Sequence, residues 1–192
     1  MQKKRLLKLR VLILALLSVM VISQNASAAA TSVNVVGVKQ INSNWCWAAC
    51  CESIFRGPLN ANIDQTTVVR DIMGPYLPDA YASDWQVAKA FADFGYSSIT
   101  STSYLTFAKV KEEINAGRPI FAHLSFRNST VGHSVVICAY DTRNGVNYIW
   151  YMDPHTGKEY MQSFNEFVAG FKYFFNGQNA YWSSTVYGFK KK

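Results

Sequence analysis

The chain has 192 residues, 49% of them hydrophobic and 15% aromatic, which is enough apolar material for one packed domain. Its formal net charge of +7 is concentrated at the start, where Lys3, Lys4, Arg5, Lys8 and Arg10 account for all but +2 of it. No basic stripe with interleaved aromatics follows, so the charge does not point to nucleic acid, and no repeat, linker or low-complexity tract marks a second domain.

In chain order, residues 1–28 read as a signal peptide. The basic start leads into an apolar run, Val11 to Ile22, and then into the small residues Asn25-Ala26-Ser27-Ala28. A run of about a dozen residues falls short of the roughly 20 that span a bilayer, so secretion is expected rather than stable membrane insertion. The remainder, 29–192, suits a single domain, with a helical lobe over about 40–118 and a β lobe over about 119–189. The Lys190-Lys191-Lys192 tail reads as a solvated, frayed end.

Trp45 to Phe55 is apolar and Ala-rich and reads as a buried helix. Ile63 to Met73 reads as a second, with Asn62 or Asp64 as its cap. Ser83 followed by Gln86 forms a capping-box pattern ahead of Val87, Ala88, Phe91 and Phe94, and Gly95 would end that helix. Thr106 to Ala116 carries Phe107, Val110 and Ile114 at helical spacing and is stopped by Gly117 and Pro119. From Ile120 onward the pattern changes to strands: Ile120–Phe126, His133–Tyr140, Val146–Met152 and Tyr181–Phe189, with Asp141 to Gly145 as a hairpin connection. Phe164 to Phe171 reads as a short helix between strands. Helices first and strands after argue for an α+β fold, with a cleft between the two halves.

Export permits disulfides among Cys46, Cys50, Cys51 and Cys138. With Cys46 set aside as a nucleophile, at most one bridge remains, Cys138 with Cys50 or Cys51; three buried free thiols are the alternative. There is no C-x-x-C pair, and His123, His133 and His155 lack ligand spacing, so neither a metal nor another cofactor is expected.

Four residues carry chemistry. Cys46 sits at the expected start of a helix, where unpaired N–H groups favour a thiolate, and Trp45 and Trp47 are placed to wall a cleft beside it. A lone cysteine on an apolar helix is ordinarily core; its neighbours argue otherwise here. Gln40, six residues earlier, can offer a side-chain amide to an oxyanion, with the helix-start N–H as a second donor. His133 follows Gly132 at a strand start and is the best-placed base. His123, inside an apolar strand, and His155, in a turn where exposure is the default, compete for that role. Asp153 ends the strand after the hairpin, across from the His133 strand, and can orient the imidazole.

On these residues, Gln40, Cys46-Trp47-Ala48, Gly132-His133 and Asp153, the chain resembles the papain-like cysteine protease clan. Within it the chain is most similar to secreted bacterial effector proteases, with relatives among the bacteriocin leader peptidases. The resemblance implies a helical lobe packed on an antiparallel β lobe and a nucleophile, base, orienter and oxyanion donor at Cys46, His133, Asp153 and Gln40. The expected function is therefore a secreted cysteine protease acting on a protein or peptide substrate through a thioester. The same triad can serve deamidation, transglutamination or isopeptide cleavage, and a secreted binding or toxin module without activity is the non-enzymatic alternative.

Overall fold

The structure is a computed structural model that describes residues 30–192; the expected leader lies outside the described residues. Side-chain caps decide where most helices begin. Asp64 accepts from the Thr67 N–H at the head of α2 (Gln65–Met73), and a Ser83–Gln86 capping box opens α3 (Asp84–Asp93). Thr106 caps α4 (Phe107–Asn115) and Ser163 caps α5 (Phe164–Ala169). By contrast α1 (Cys46–Arg56) has no side-chain cap, since Trp45 precedes it, so its first N–H groups are left for something else.

Eight strands among the described residues form one antiparallel sheet: β1 (Thr31–Ser32), β2 (Tyr96–Ser101), β3 (Ile120–Phe126), β4 (Gly132–Arg143), β5 (Val146–Asp153), β6 (Lys158–Ser163), β7 (Phe171–Lys172) and β8 (Asn179–Lys191). The order is β2-β8-β3-β4-β5-β6, with β1 beside β4 and β7 beside β8. The β4–β5 hairpin closes tightly: Arg143 pairs with Val146, and Asn144 and Gly145 both take positive φ, the two-residue turn whose twist matches the strands.

Helices cover both faces. One apolar layer joins α1, α2 and α3 to the sheet through Val136, Cys138, Met152 and Val186. The other joins α4 and α5 to Val135, Ile137, Ile149 and Tyr151 on the opposite side of the same strands. The alternation of Val135, Val136 and Ile137 between the two layers is the period of two expected of a strand buried on both faces. The fold is therefore α+β, with helices preceding a large antiparallel sheet.

Several elements differ from expectation. β2 lies within the segment assigned to a helical lobe and pairs with β8. β2 and β6 are the sheet's two edges, and their sequences, YSSITS and KEYMQS, carry the polar and charged residues that edge strands use. The terminal lysines are not frayed: β8 runs to Lys191, opposite Tyr96, and the Lys192 N–H donates to the Gly95 carbonyl. All four cysteines are free and buried, so the bridge from Cys138 to Cys50 or Cys51 is not formed.

Candidate active site

One irregularity in the sheet sets the site. Ile137 pairs with Tyr151 and Ala139 with Trp150, leaving Cys138 as an extra residue on β4. A one-residue slip moves every later side chain to the other face. Below the bulge the register, Val136 opposite Met152, sets Asp153 across from Val135 and on the face of His133. Without it Asp153 would share the face of Val136 instead.

His133 Nε2 lies 3.0 Å from Asp153 Oδ1, and both side chains are buried. Two further donors hold the carboxylate: the His155 N–H at 2.9 Å on Oδ1 and the Tyr173 hydroxyl at 2.7 Å on Oδ2. The Tyr173 proton is spent on Asp153, so His155 Nδ1, 2.7 Å from the phenol oxygen, must be the protonated nitrogen that donates to it. Burial alone would raise the Asp153 pKa; the bonds from His133, His155 and Tyr173 outweigh it and hold the carboxyl well below the usual range.

The Cys46 thiol, at the bare head of α1, faces the His133 ring and Ser134, which act on its charge. Burial opposes charge on the sulfur, but His133 and Ser134 prevail and bring its pKa below the ordinary thiol value. The ring responds in the opposite sense. Burial disfavours its charged form, yet Asp153 and Cys46 raise its pKa to about 9. Burial drives the other three thiols upward, Cys50 further still by the charge on Cys46 one helical turn away. Cys46 is thus the one thiol of the four that its surroundings favour as an anion.

Gln40 stands on the loop ahead of α1, tied to the Asp153 turn by its N–H on the Pro154 carbonyl at 2.8 Å. Its amide hydrogens go to the carbonyls of Asn42 and Ser43, at 2.9 and 2.7 Å, and its Oε1 is buried without a partner. Gln65 frames this loop from both sides, accepting from the Ile41 N–H at 2.9 Å and donating to the Lys39 carbonyl at 3.0 Å. Glu52 on α1 fixes Gln65 in turn, accepting from its N–H at 3.0 Å and from its side-chain amide at 3.2 Å. The chain before Gln40 can lie against the Asp153 turn because Gly37 sits on the Gly157 carbonyl, 2.4 Å from where a Cβ would be.

The two tryptophans beside Cys46 act from inside. Both are buried, and their indole N–H groups hold the carbonyls of Pro78 and Ala80, so that the 78–82 loop becomes the outer wall. Between this loop and β4 lies a cleft of about 140 Å³ lined by Cys46, Trp47, Tyr81, His123, Val131 and Gly132. Gly132 is required there, since a Cβ would stand 2.3 Å from His123 Nε2 and 2.8 Å from the Leu124 carbonyl.

Of the three histidines, His133 is the one against Cys46. His123 lines the cleft, and burial lowers its pKa. His155 is not the exposed turn residue expected: its side chain is 22% exposed and stacks 4.3 Å from the His133 ring. Ligand atoms of His133, Asp153 and His155 lie within 4.8 Å of one another. The two rings are stacked 28° from parallel, so their lone pairs run side by side, and both carboxylate oxygens already accept hydrogen bonds. That is a hydrogen-bonded cluster, poorly shaped for a metal. Ser134, Gln65 and Tyr173 carried no signal in sequence; each works through a contact made only by the folded chain.

The fold is similar to that of the crystal structure of the peptidase domain of Streptococcus ComA, a bifunctional ABC transporter involved in a quorum-sensing pathway. That likeness has a TM-score of 0.54 at 15% identity and covers 83% of this chain and 98% of that one. A comparison of the sequence with curated proteins finds no match. Residues 18–181 match the Peptidase_C39 like family, and with most of its length covered the chain belongs to that family of cysteine peptidases.

Proposed function

We propose that this chain is an exported cysteine protease that cleaves peptide bonds through Cys46, His133 and Asp153, with Gln40 at the oxyanion. The observation that carries the reading is the thiol of Cys46 beside a His133 ring whose far nitrogen is held by Asp153. In this reading His133 takes the proton of Cys46, and the thiolate sulfur bonds to the substrate carbonyl carbon. The Cys46 N–H, unpaired at the head of α1, donates to the oxyanion. Gln40 joins it by releasing one of its two carbonyl partners. Its orphaned Oε1 favours such a turn, because a buried acceptor without a donor costs about 1–3 kcal/mol. When the tetrahedral adduct collapses, the C–N bond breaks and the leaving nitrogen takes the proton from His133. Water, deprotonated by the same ring, then cleaves the thioester and restores the thiol.

The test is a peptide library incubated with the protein under reducing conditions, with cut sites mapped by mass spectrometry. Cys46→Ala should abolish cleavage with the fold intact. Iodoacetamide should label Cys46 in the wild-type protein ahead of Cys50, Cys51 and Cys138, whose thiols burial keeps protonated. Unchanged cleavage by Cys46→Ala would refute the assignment. Export predicts that protein recovered outside the cell begins at Ala29.

A further inference from the structure

We propose that the groove on the outer side of His133 is a leaving-group subsite, and that it takes an apolar, preferably aromatic, residue directly after the cleaved bond. The inference rests on the protease reading and adds to it a substrate class.

Two depressions flank the Cys46–His133 pair. The cleft lined by Cys46 itself is suited to the acyl half of a substrate, the half that stays on the sulfur. The second is a groove of about 370 Å³ that Cys46 does not line; its walls include Gln40 and Ile41 on one side and His155 and Phe175 on the other. The chemistry assigns the two sides. The leaving nitrogen takes its proton from His133, so the residue bearing that nitrogen departs over the imidazole.

What lies beyond the imidazole is a column of rings. His155 stacks on His133 at 4.3 Å, and Phe175 stacks on His155 at 4.0 Å and 16° from parallel. The column begins at the catalytic pair and ends in the groove. Phe175 is also held in register with the site: Tyr173, two residues earlier, is hydrogen-bonded to Asp153, and the Tyr173–Gln178 and Gly177–Tyr173 backbone bonds close its loop.

The groove presents two large apolar side chains to solvent, Ile41 at 64% exposure and Phe175 at 62%. One exposed apolar residue is unremarkable in a folded protein. Two that line a single groove, one anchored to the base through stacked rings and the other next in sequence to Gln40, give apolar surface on both walls beside the reacting bond. A flat ring entering there covers both, and its own face meets that of Phe175. Lys39 stands at the rim, which makes an acidic residue the competing occupant.

The experiment uses quenched fluorescent peptides that share one cleaved sequence and differ only in the residue after the cut: Phe, Leu, Gly or Asp. The readout is the ratio of kcat/KM for Phe over Gly within each protein, so a general loss of activity does not enter. Wild type should prefer Phe about tenfold, the scale of burying part of one aromatic ring. Phe175→Ser and Ile41→Ser should each bring the ratio toward one, and Phe175→Tyr should retain it. A wild-type ratio near one, a ratio unmoved by both serine variants, or a preference for Asp abolished by Lys39→Ala would each overturn the proposal. Should wild type cleave no peptide at all, the protease reading fails separately. The groove is then judged by titration calorimetry of the tripeptides Phe-Gly-Gly and Gly-Gly-Gly, where equal binding by wild type, or a preference that survives Phe175→Ser, ends the proposal.

Discussion

At the scale of single residues, the site is built around a carboxylate whose two oxygens both accept hydrogen bonds. Asp153 receives three donors: His133, the His155 N–H and the Tyr173 hydroxyl. The first orients the base, and the other two fix the carboxylate that does the orienting. Such indirect bonds are commonly as consequential as direct ones. Tyr173 is therefore a positioning residue in the proposed mechanism, and Tyr173→Phe tests it with the ring retained. A hydrogen bond to a charged group contributes about 1.5–3 kcal/mol; if half of that is expressed in the transition state, kcat falls on the order of tenfold. KM should stay within about twofold, because Tyr173 reaches substrate only through Asp153 and His133. An unchanged kcat would mean that the remaining two donors hold Asp153 unaided.

At the scale of elements, legibility in the sequence tracked how local the signal was. Ser83 with Gln86, Asp64 and Thr106 announce their helices because a cap is a contact within four residues. The central strands β3, β4, β5 and β8 announce themselves through apolar runs, since burial on both faces demands them. The edges β2 and β6 do not, because an edge strand needs polar residues and so reads as loop. The extra residue at Cys138 is likewise invisible: which residue is left unpaired is settled by β5, not by β4 alone. Cys46, His133, Asp153 and Gln40 stood out by residue type and context, whereas Gln65 did not, because a glutamine after a cap is ordinary. Yet Gln65 clamps the backbone on both sides of Gln40 and is itself held by Glu52. Gln65→Leu removes both clamp bonds and leaves Glu52 without its amide partner. It should destabilise the protein by about 1–3 kcal/mol in urea, and cleavage should fall further than that loss explains. Full activity at temperatures where the variant remains folded would show that the loop keeps its place without the clamp.

At the scale of the whole molecule, the site couples stability to pH from both sides. His133 is buried, and its pKa stands at about 9 against an ordinary value of 6.5, because Asp153 and Cys46 outweigh the effect of burial. Between those two values the folded chain holds a proton that the unfolded chain has released. The contribution of His133 is complete below about pH 6.5 and is lost as pH rises through 9. Asp153 works in the opposite direction. Its folded pKa is well below the ordinary carboxylate value, so its contribution is present above about pH 4 and is lost as pH falls further. Cys46 opposes His133 over the same interval, since its lowered folded pKa adds stability as pH rises. The alkaline loss is therefore read in Cys46→Ala, whose urea midpoint should be highest between about pH 4 and 6.5 and decline above that. Adding Asp153→Asn to that variant removes the carboxylate that raises His133, so the double variant should be less stable at pH 6 and lose little more on going to pH 9. If its midpoint instead declined in parallel with that of Cys46→Ala over that interval, the alkaline loss would have to arise outside the His133–Asp153 pair.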